Sequence, residues 1–199
     1  RVDLLLKEDT ITALAQSGAE TVWVGAESGS QKILDAMDKG TTIEEINTAT
    51  KLLKKNNIRV AFFLQFGYPG ETKEDINKTV EMVLNLMPDE IGISVSYPLP
   101  GTKFFENVKD QLKTKSNWAD SDELALMFRN TFPPAYYKRL HRYVHKVYRK
   151  RVGLKSILNI VRNPLSVSAK NLRSAILILY YIPASILDSF LLKKLETAE

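Results

Sequence analysis

The sequence predicts an α/β fold built on a parallel sheet. Short apolar runs of strand type, at Val2–Leu6, Thr21–Gly25, Ile58–Phe66 and Ile91–Tyr97, alternate with segments of helical period. The connections are short, which for successive parallel strands means right-handed crossovers that lay helices over the sheet. Three successive strands also end in unusual chemistry: "GAESGS", "GYPGET" and "YPLPGT". In parallel sheets ligands gather beyond the carboxyl ends of the strands, so these three loops mark a site.

Each element has a local reason. Asp9 or Thr10 caps a helix through Ser17, and Gly18 stops it by taking a left-handed conformation. "TVWVG", Thr21 to Gly25, does not alternate apolar with polar, the pattern of a strand covered on both faces. Ser30 caps a helix to about Asp38, closed by Gly40. Thr42 and Glu45 form a capping box that opens the next helix, which Asn56 and Asn57 end near Lys55. After the strand Ile58–Phe66, Thr72 to Asp75 is a second capping signal. Ile76, Val80, Val83, Leu84 and Met87 then recur at helical spacing until Pro88. Beyond Gly101, helices are expected over Lys103–Leu112 and over Asn117–Asn130, the latter anchored by Trp118 and Phe128. Pro133 and Pro134 open a long basic helix to about Arg151, and a separate section from Gly153 carries a break at Pro164 and a leucine-rich end.

Composition bounds the function. At 199 residues and 44% hydrophobic content the chain can bury one sizeable core with a smaller appendage. Having no cysteine, it offers no disulfide, no thiolate metal ligand and no cysteine nucleophile. The net charge of +5 is concentrated between Lys138 and Arg151. The longest apolar stretch, Ala175–Leu192, is interrupted by Pro183 and Asp188 and falls short of a clean membrane span, which leaves an interfacial helix. Arg1 follows no signal-like segment, and the start is expected to be internal to a longer protein.

The glycines of the three loops let backbone turn sharply and approach a ligand, and the prolines fix the turns. His141 and His145 stand four apart, as in zinc sites, but without an adjacent Glu or a third histidine they read as a basic solvated face. Tyr136, Tyr137, Tyr143 and Tyr148 interleave with Lys and Arg, a pattern that suits either nucleic acid or packing on the sheet domain; nucleic acid is not the expected partner. Arg162, Lys170, Arg173, Lys193 and Lys194 flank the apolar tail, a composition suited to an anionic membrane surface, a barrel-closing helix pair or a partner domain. No Ser-His-Asp order, P-loop or dinucleotide fingerprint is present.

From "RVDLL" through "LAQSGAETVWVGAESGSQKILDAMDKGTT" and "AFFLQFGYPGETKEDINKTVEMV" to "YPLPGTKFFE", the chain resembles the radical S-adenosylmethionine enzymes, in the branch that often carries a cobalamin-binding domain. The details are "ESGS" before a helix with "IL..M.KG", and "G.PGET..D". The resemblance covers Arg1 to about Glu106. It implies the C-terminal part of a (β/α)6 partial TIM-type barrel with parallel strands, followed by an α-helical extension. Residues 1–106 would be the second part of the barrel, 107–151 a helical segment closing it with the basic helix at 134–151, and 152–199 the partly apolar extension.

The resemblance also implies cofactors. The family holds a [4Fe–4S] cluster on a CxxxCxxC motif, and the cluster's open iron binds S-adenosylmethionine for 5′-deoxyadenosyl-radical or methyl-transfer chemistry. This chain has no such cysteines, so the full-length protein is expected to be the enzyme and this chain alone to be inactive. Cobalamin is the further cofactor that this branch implies. Glu27 and Ser28 fall where the family reaches the ribose hydroxyls or methionine end of the cofactor; by position alone Glu27 reads as a solvated first-turn acid. Gln65, Phe66 and Gly67 fall on the strand beside adenine and ribose, and Tyr97, Pro98 and Leu99 border the adenine; core packing is the alternative for the aromatic and leucine positions. Arg1 and Asp3 match an Arg-x-Asp in which the Arg pairs with a carboxylate. No catalytic residue and no substrate is assigned. The competing expectation is a non-catalytic barrel remnant that binds a membrane surface or a protein. Localisation is expected to be cytoplasmic, peripheral to the membrane through the tail.

Overall fold

A computed structural model describes residues 1–7, 9–112 and 128–197. The chain forms two compact units, Arg1–Pro134 and Ala135–Glu199.

The first unit is organised by three parallel strands in the order β1–β2–β3: Thr21–Glu27, Arg59–Phe66 and Glu90–Val95. The helices between them are α3 (Gln31–Ala36), α4 (Ile43–Lys55) and α5 (Lys73–Leu86). Val2–Leu6, expected as a strand, is instead helix α1 (Val2–Leu5), followed by α2 (Thr10–Gln16). The reason lies in composition: "VDLLL" has one β-branched residue and three leucines, which lose little rotamer freedom in a helix.

Both capping boxes form. Thr42 accepts from the Glu45 amide and Thr72 from that of Asp75, while each acid side chain returns to the cap residue's amide. α5 ends one residue before Met87, which takes the left-handed conformation ahead of Pro88. Ser30 stands at the N-cap of α3 without a side-chain capping bond, because its hydroxyl donates to Asp75 at 2.6 Å.

Alternation along the strands separates two faces. Val24, Phe62, Leu64, Phe66 and Val95 are buried on one, and Ile46 and Leu53 of α4 with Ile76, Val80 and Val83 of α5 supply the buried helical surface. The opposite face carries Trp23, Gly25, Phe63, Gln65, Gly92 and Ser94. There Trp23 and Phe63, both exposed, stack at 4.5 Å between centroids over Gly92, where a Cβ would lie 3.3 Å from the Trp23 ring.

"ESGS" has a packing role. A Cβ at Gly29 would stand 2.3 Å from the Lys78 carbonyl oxygen, so only glycine lets this turn lie against the α5 backbone. Buried Ser28 shares a hydrogen bond with Thr79 at 3.1 Å, and the Gly29 amide donates to the Thr79 hydroxyl at 2.9 Å.

After β3, helix α6 (Lys103–Val108) passes into a 3-10 turn at Lys109–Gln111, within the expected helix. Most of the helix expected over Asn117–Asn130, with Trp118, lies outside the described residues. Phe128 to Asn130 are described and are not helical, and buried Phe128 packs edge-on against Phe104 at 5.3 Å.

The second unit consists of α7 (Pro134–Arg162), α8 (Ala169–Ile176) and α9 (Ile178–Glu196). α7 starts at the predicted prolines but runs past Arg151, straight through Gly153. Gly153 is a contact point: a Cβ there would meet Ile178 at 2.5 Å and the Ser174 carbonyl at 2.6 Å. Asp188 of α9 is buried between Arg139 at 2.9 Å and Lys146 at 2.7 Å on α7.

Replacing Gly29 by Ala should cost about 2–3 kcal/mol, because the obstacle is backbone and cannot rotate away. Urea unfolding of the two proteins measures this, and an unchanged midpoint would contradict the close packing of this turn.

Candidate functional site

The carboxyl ends of β1, β2 and β3 face a common region, and each ends in one of the three predicted loops. At β1 the pairing with β2 shifts between Gly25 and Glu27, and Glu27 takes φ +53°. A bulge of this kind re-aims a side chain. Here it lays the Glu27 carboxylate back over Gly25, where a Cβ would come within 2.7 Å of its oxygen. Lys39, from the loop after α3, donates to that carboxylate at 2.8 Å. Gly25 therefore makes room for a Glu27–Lys39 pair on the same sheet face as Gln65.

At the end of β2, Gly67 and Gly70 both have positive φ, and the turn between them folds over Glu71. Glu71 is completely buried; one carboxylate oxygen accepts from the Gly67 amide at 2.6 Å. Burial pushes its carboxyl up to about 8, with neighbouring Asp75 acting in the same direction and the Gly67 amide and Lys32 opposing. Asn130 donates to the Gly67 carbonyl, and Thr131 to the Glu71 carbonyl at 2.8 Å. Asp75 behaves oppositely: burial raises it, but hydrogen bonds from Ser30, Thr72 and Lys32 outweigh burial and hold it well below the usual carboxylate range.

A cleft of about 510 Å³ opens beside these loops, a size typical of small-molecule sites. Gln65, Tyr97 and Leu99 line it, joined by Met37, Asp38 and Lys39 after α3 and by Tyr68, Lys103 and Phe104. The Tyr68 hydroxyl donates to the Ala36 carbonyl at 2.7 Å, and its ring packs on Phe104 at 4.9 Å, giving the cleft an aromatic wall. The Lys103–Asp38 pair at 3.0 Å is solvent-exposed and adds little to stability.

Of the eight residues singled out in the sequence, Gln65, Tyr97 and Leu99 meet in the cleft, and Glu27 reaches its edge through Lys39. Phe66 and Pro98 are buried, the Gly67 amide is held by Glu71, and the Ser28 hydroxyl faces Thr79 inside the fold. Arg1 pairs with Asp3 at 3.0 Å, a local contact that leaves both outside this site. Sequence reasoning passed over Lys39 and Glu71. Lys39 is the lysine of "M.KG", and Glu71 the acid of "PGET"; both stood in motifs already singled out, without a role. Among the described residues no group of three or more His, Cys, Asp or Glu is placed to hold a metal ion. His141 and His145 contact each other ring to ring at 4.6 Å, and burial, His141 and Arg149 push His145 down to about 4, so it is neutral at neutral pH.

A carboxyl raised in the fold binds its proton more tightly there than in the unfolded chain. Glu71 therefore favours the fold most fully below the unfolded value of about 4.3, and stability declines as pH rises from there to about 8. Glu71→Gln, which keeps an acceptor for the Gly67 amide, should remove this slope. Melting temperatures from about pH 5 to pH 8 test it; parallel profiles for the two proteins would contradict a buried, protonated Glu71.

Comparisons with known proteins find a likeness over the first unit. Residues 2–83 match the family model of the Radical SAM superfamily. A protein of Pyrococcus horikoshii named as an uncharacterized methyltransferase is 30% identical over 56% of this chain and 24% of its own length. The tRNA-2-methylthio-N(6)-dimethylallyladenosine synthase of a Sulfurihydrogenibium species is 37% identical over 49% of the chain and 23% of its own length. The anaerobic magnesium-protoporphyrin IX monomethyl ester cyclase of Rubrivivax gelatinosus is 30% identical over 56% of the chain and 20% of its own length. The chain thus spans about a quarter or less of the length of these curated relatives. The likeness to the Radical SAM superfamily thus runs over the segment that carries β1, β2 and the Glu27 bulge.

Proposed function

We propose that the cleft at the carboxyl ends of β1–β3 takes part of an S-adenosylmethionine molecule, and that the full-length protein is a radical S-adenosylmethionine enzyme. The observation that carries this reading is the bulged, left-handed Glu27, whose carboxylate lies over Gly25 beside Lys39 at the cleft. The residues present suit such a ligand. Glu27 accepts only, as two ribose hydroxyls require; Lys39 donates only; and Tyr97, Leu99, Met37 and Phe104 supply the apolar surface that a purine needs.

In this reading Glu27 would hold the ribose, Lys39 would orient the Glu27 carboxylate, and Gln65 would stand beside the sugar. When bound, the cofactor supplies 5′-deoxyadenosyl-radical or methyl-transfer chemistry together with a [4Fe–4S] cluster. The family's cluster ligands are cysteines, so in this proposal residues outside these 199 hold it. The relatives include a named methyltransferase, a methylthio-adenosine synthase and a cyclase, and the proposal is accordingly for the shared cofactor chemistry and not for one substrate. The cobalamin expectation rests on the resemblance alone.

The test uses full-length protein with its cluster assembled anaerobically. Cleavage of S-adenosylmethionine to 5′-deoxyadenosine is expected, and Glu27→Gln should weaken cofactor binding about tenfold or more by removing a charge-assisted acceptor. Lys39→Ala should weaken it less. Binding by calorimetry and cleavage by chromatography are read separately; no cleavage by the wild type, or undiminished binding by Glu27→Gln, would defeat the proposal.

A further inference from the structure

Helix α9 is built inside out. A helix on a water-facing surface turns apolar residues inward and polar ones outward. α9 buries Ile178 and Leu192 near its ends but Ser185 and Asp188 in its middle, the latter 1% exposed, and presents Leu179 (80% exposed), Ile186 (64%), Leu187 (56%) and Phe190 (54%). Leu172 and Ile176 of α8 precede them, so exposed apolar side chains recur at helical spacing at 172 and 176 on α8 and at 179, 186 and 190 on α9, on either side of the bend between the helices. Pro183 fills the gap in the series.

Charge distinguishes what such a face fits. Between Ala135 and Glu199 there are thirteen Lys and Arg against three acidic residues, although the whole chain carries only +5. Exposed Lys170 and Arg173 stand at one end of the stripe and exposed Lys193 and Lys194 at the other. Lys194 lies over the Phe190 ring at 4.6 Å, so charge and apolar surface share one face there. The single acid within the apolar stretch, Asp188, is turned away and paired with Arg139 and Lys146.

From this geometry we infer that the outward face of α8 and α9 docks on an anionic lipid bilayer, apolar side chains entering the headgroup boundary and the flanking cations meeting lipid phosphates. The helices lie on the membrane and do not cross it. No single described helix is long and apolar enough to span one, and the α8–α9 pair, which passes only jointly, is bent by 43°. Asp188 also ties α9 to α7, whose stretch from Lys138 to Arg151 holds seven Lys and Arg, and carrying those into hydrocarbon is prohibitive.

Co-sedimentation of the full-length protein with phosphatidylcholine vesicles, with and without about one third phosphatidylglycerol, tests this. The protein should pellet with the anionic vesicles, much less with phosphatidylcholine alone, and be released by salt. Ile186→Glu with Phe190→Glu, and separately Lys193→Glu with Lys194→Glu, should each weaken partitioning about tenfold or more. All four positions are outward, so thermal melting should be unchanged; the lysine pair remains decisive if the apolar pair perturbs the fold. The proposal is overturned if wild-type protein stays in the supernatant with anionic vesicles, or if binding survives both double variants. It is equally overturned if Ile186→Glu with Phe190→Glu converts a stable dimer to monomer while vesicle binding is absent, which would make the face a contact between copies.

Discussion

The buried polar contact between the Ser28–Ser30 turn and the start of α5 is the constraint on which the rest of the first unit depends. Two backbones meet at Gly29 with no room for a Cβ, and the polar groups that this burial strips of water are paired with one another. Asp75 is the hub: it closes the α5 capping box and receives Ser30 and Lys32 from α3. An ionised carboxylate with several donors is stable at low exposure, whereas the same group short of partners is not. Glu71, four residues earlier, shows the contrast, since one amide does not offset its burial.

That contact has consequences for the cleft. Once α3 is held against α5, the loop after α3 is carried to the carboxyl end of the sheet, and Lys39 comes within reach of Glu27. Gly25 contributes an absence, because the Glu27 carboxylate occupies the space of its missing Cβ. The candidate site thus has an ion pair placed by one bulge and two glycines, flanked by an aromatic wall from Tyr68 and Phe104. The open sheet face with Trp23 and Phe63 adjoins the same strands, and parallel sheets ordinarily cover both faces.

Within the second unit the middle of α9 inverts the usual distribution of polarity. It buries an aspartate held by two cations and turns Leu179, Ile186, Leu187 and Phe190 outward. The desolvation of Asp188 is tolerable because both partners reach it, and the helix is thereby fixed in the rotation that exposes its apolar side. Gly153 acts similarly through shape, letting the elbow between α8 and α9 touch α7.

Much of this was legible in the sequence because it rests on local chemistry. Both capping boxes, the glycine stops, the strand–helix alternation and the loops at the strand ends depend on residues within a turn or two of each other. Locality failed where alternatives were close in energy: "VDLLL" suits a helix or a strand, and Gly153 reads as a break until its tertiary neighbour is known. The candidate site divides the same way. Gln65, Tyr97 and Leu99 could be placed from the loops they enter, but the pairing of Glu27 with Lys39, the burial of Ser28 against Thr79 and the raised carboxyl of Glu71 could not. Sequence by itself determined the α/β class, the cap positions and the loops that border the cleft. Only tertiary structure decided which side chains face the cleft and which are spent inside the fold, because burial and long-range partners, unlike caps and turns, depend on residues far apart in the chain.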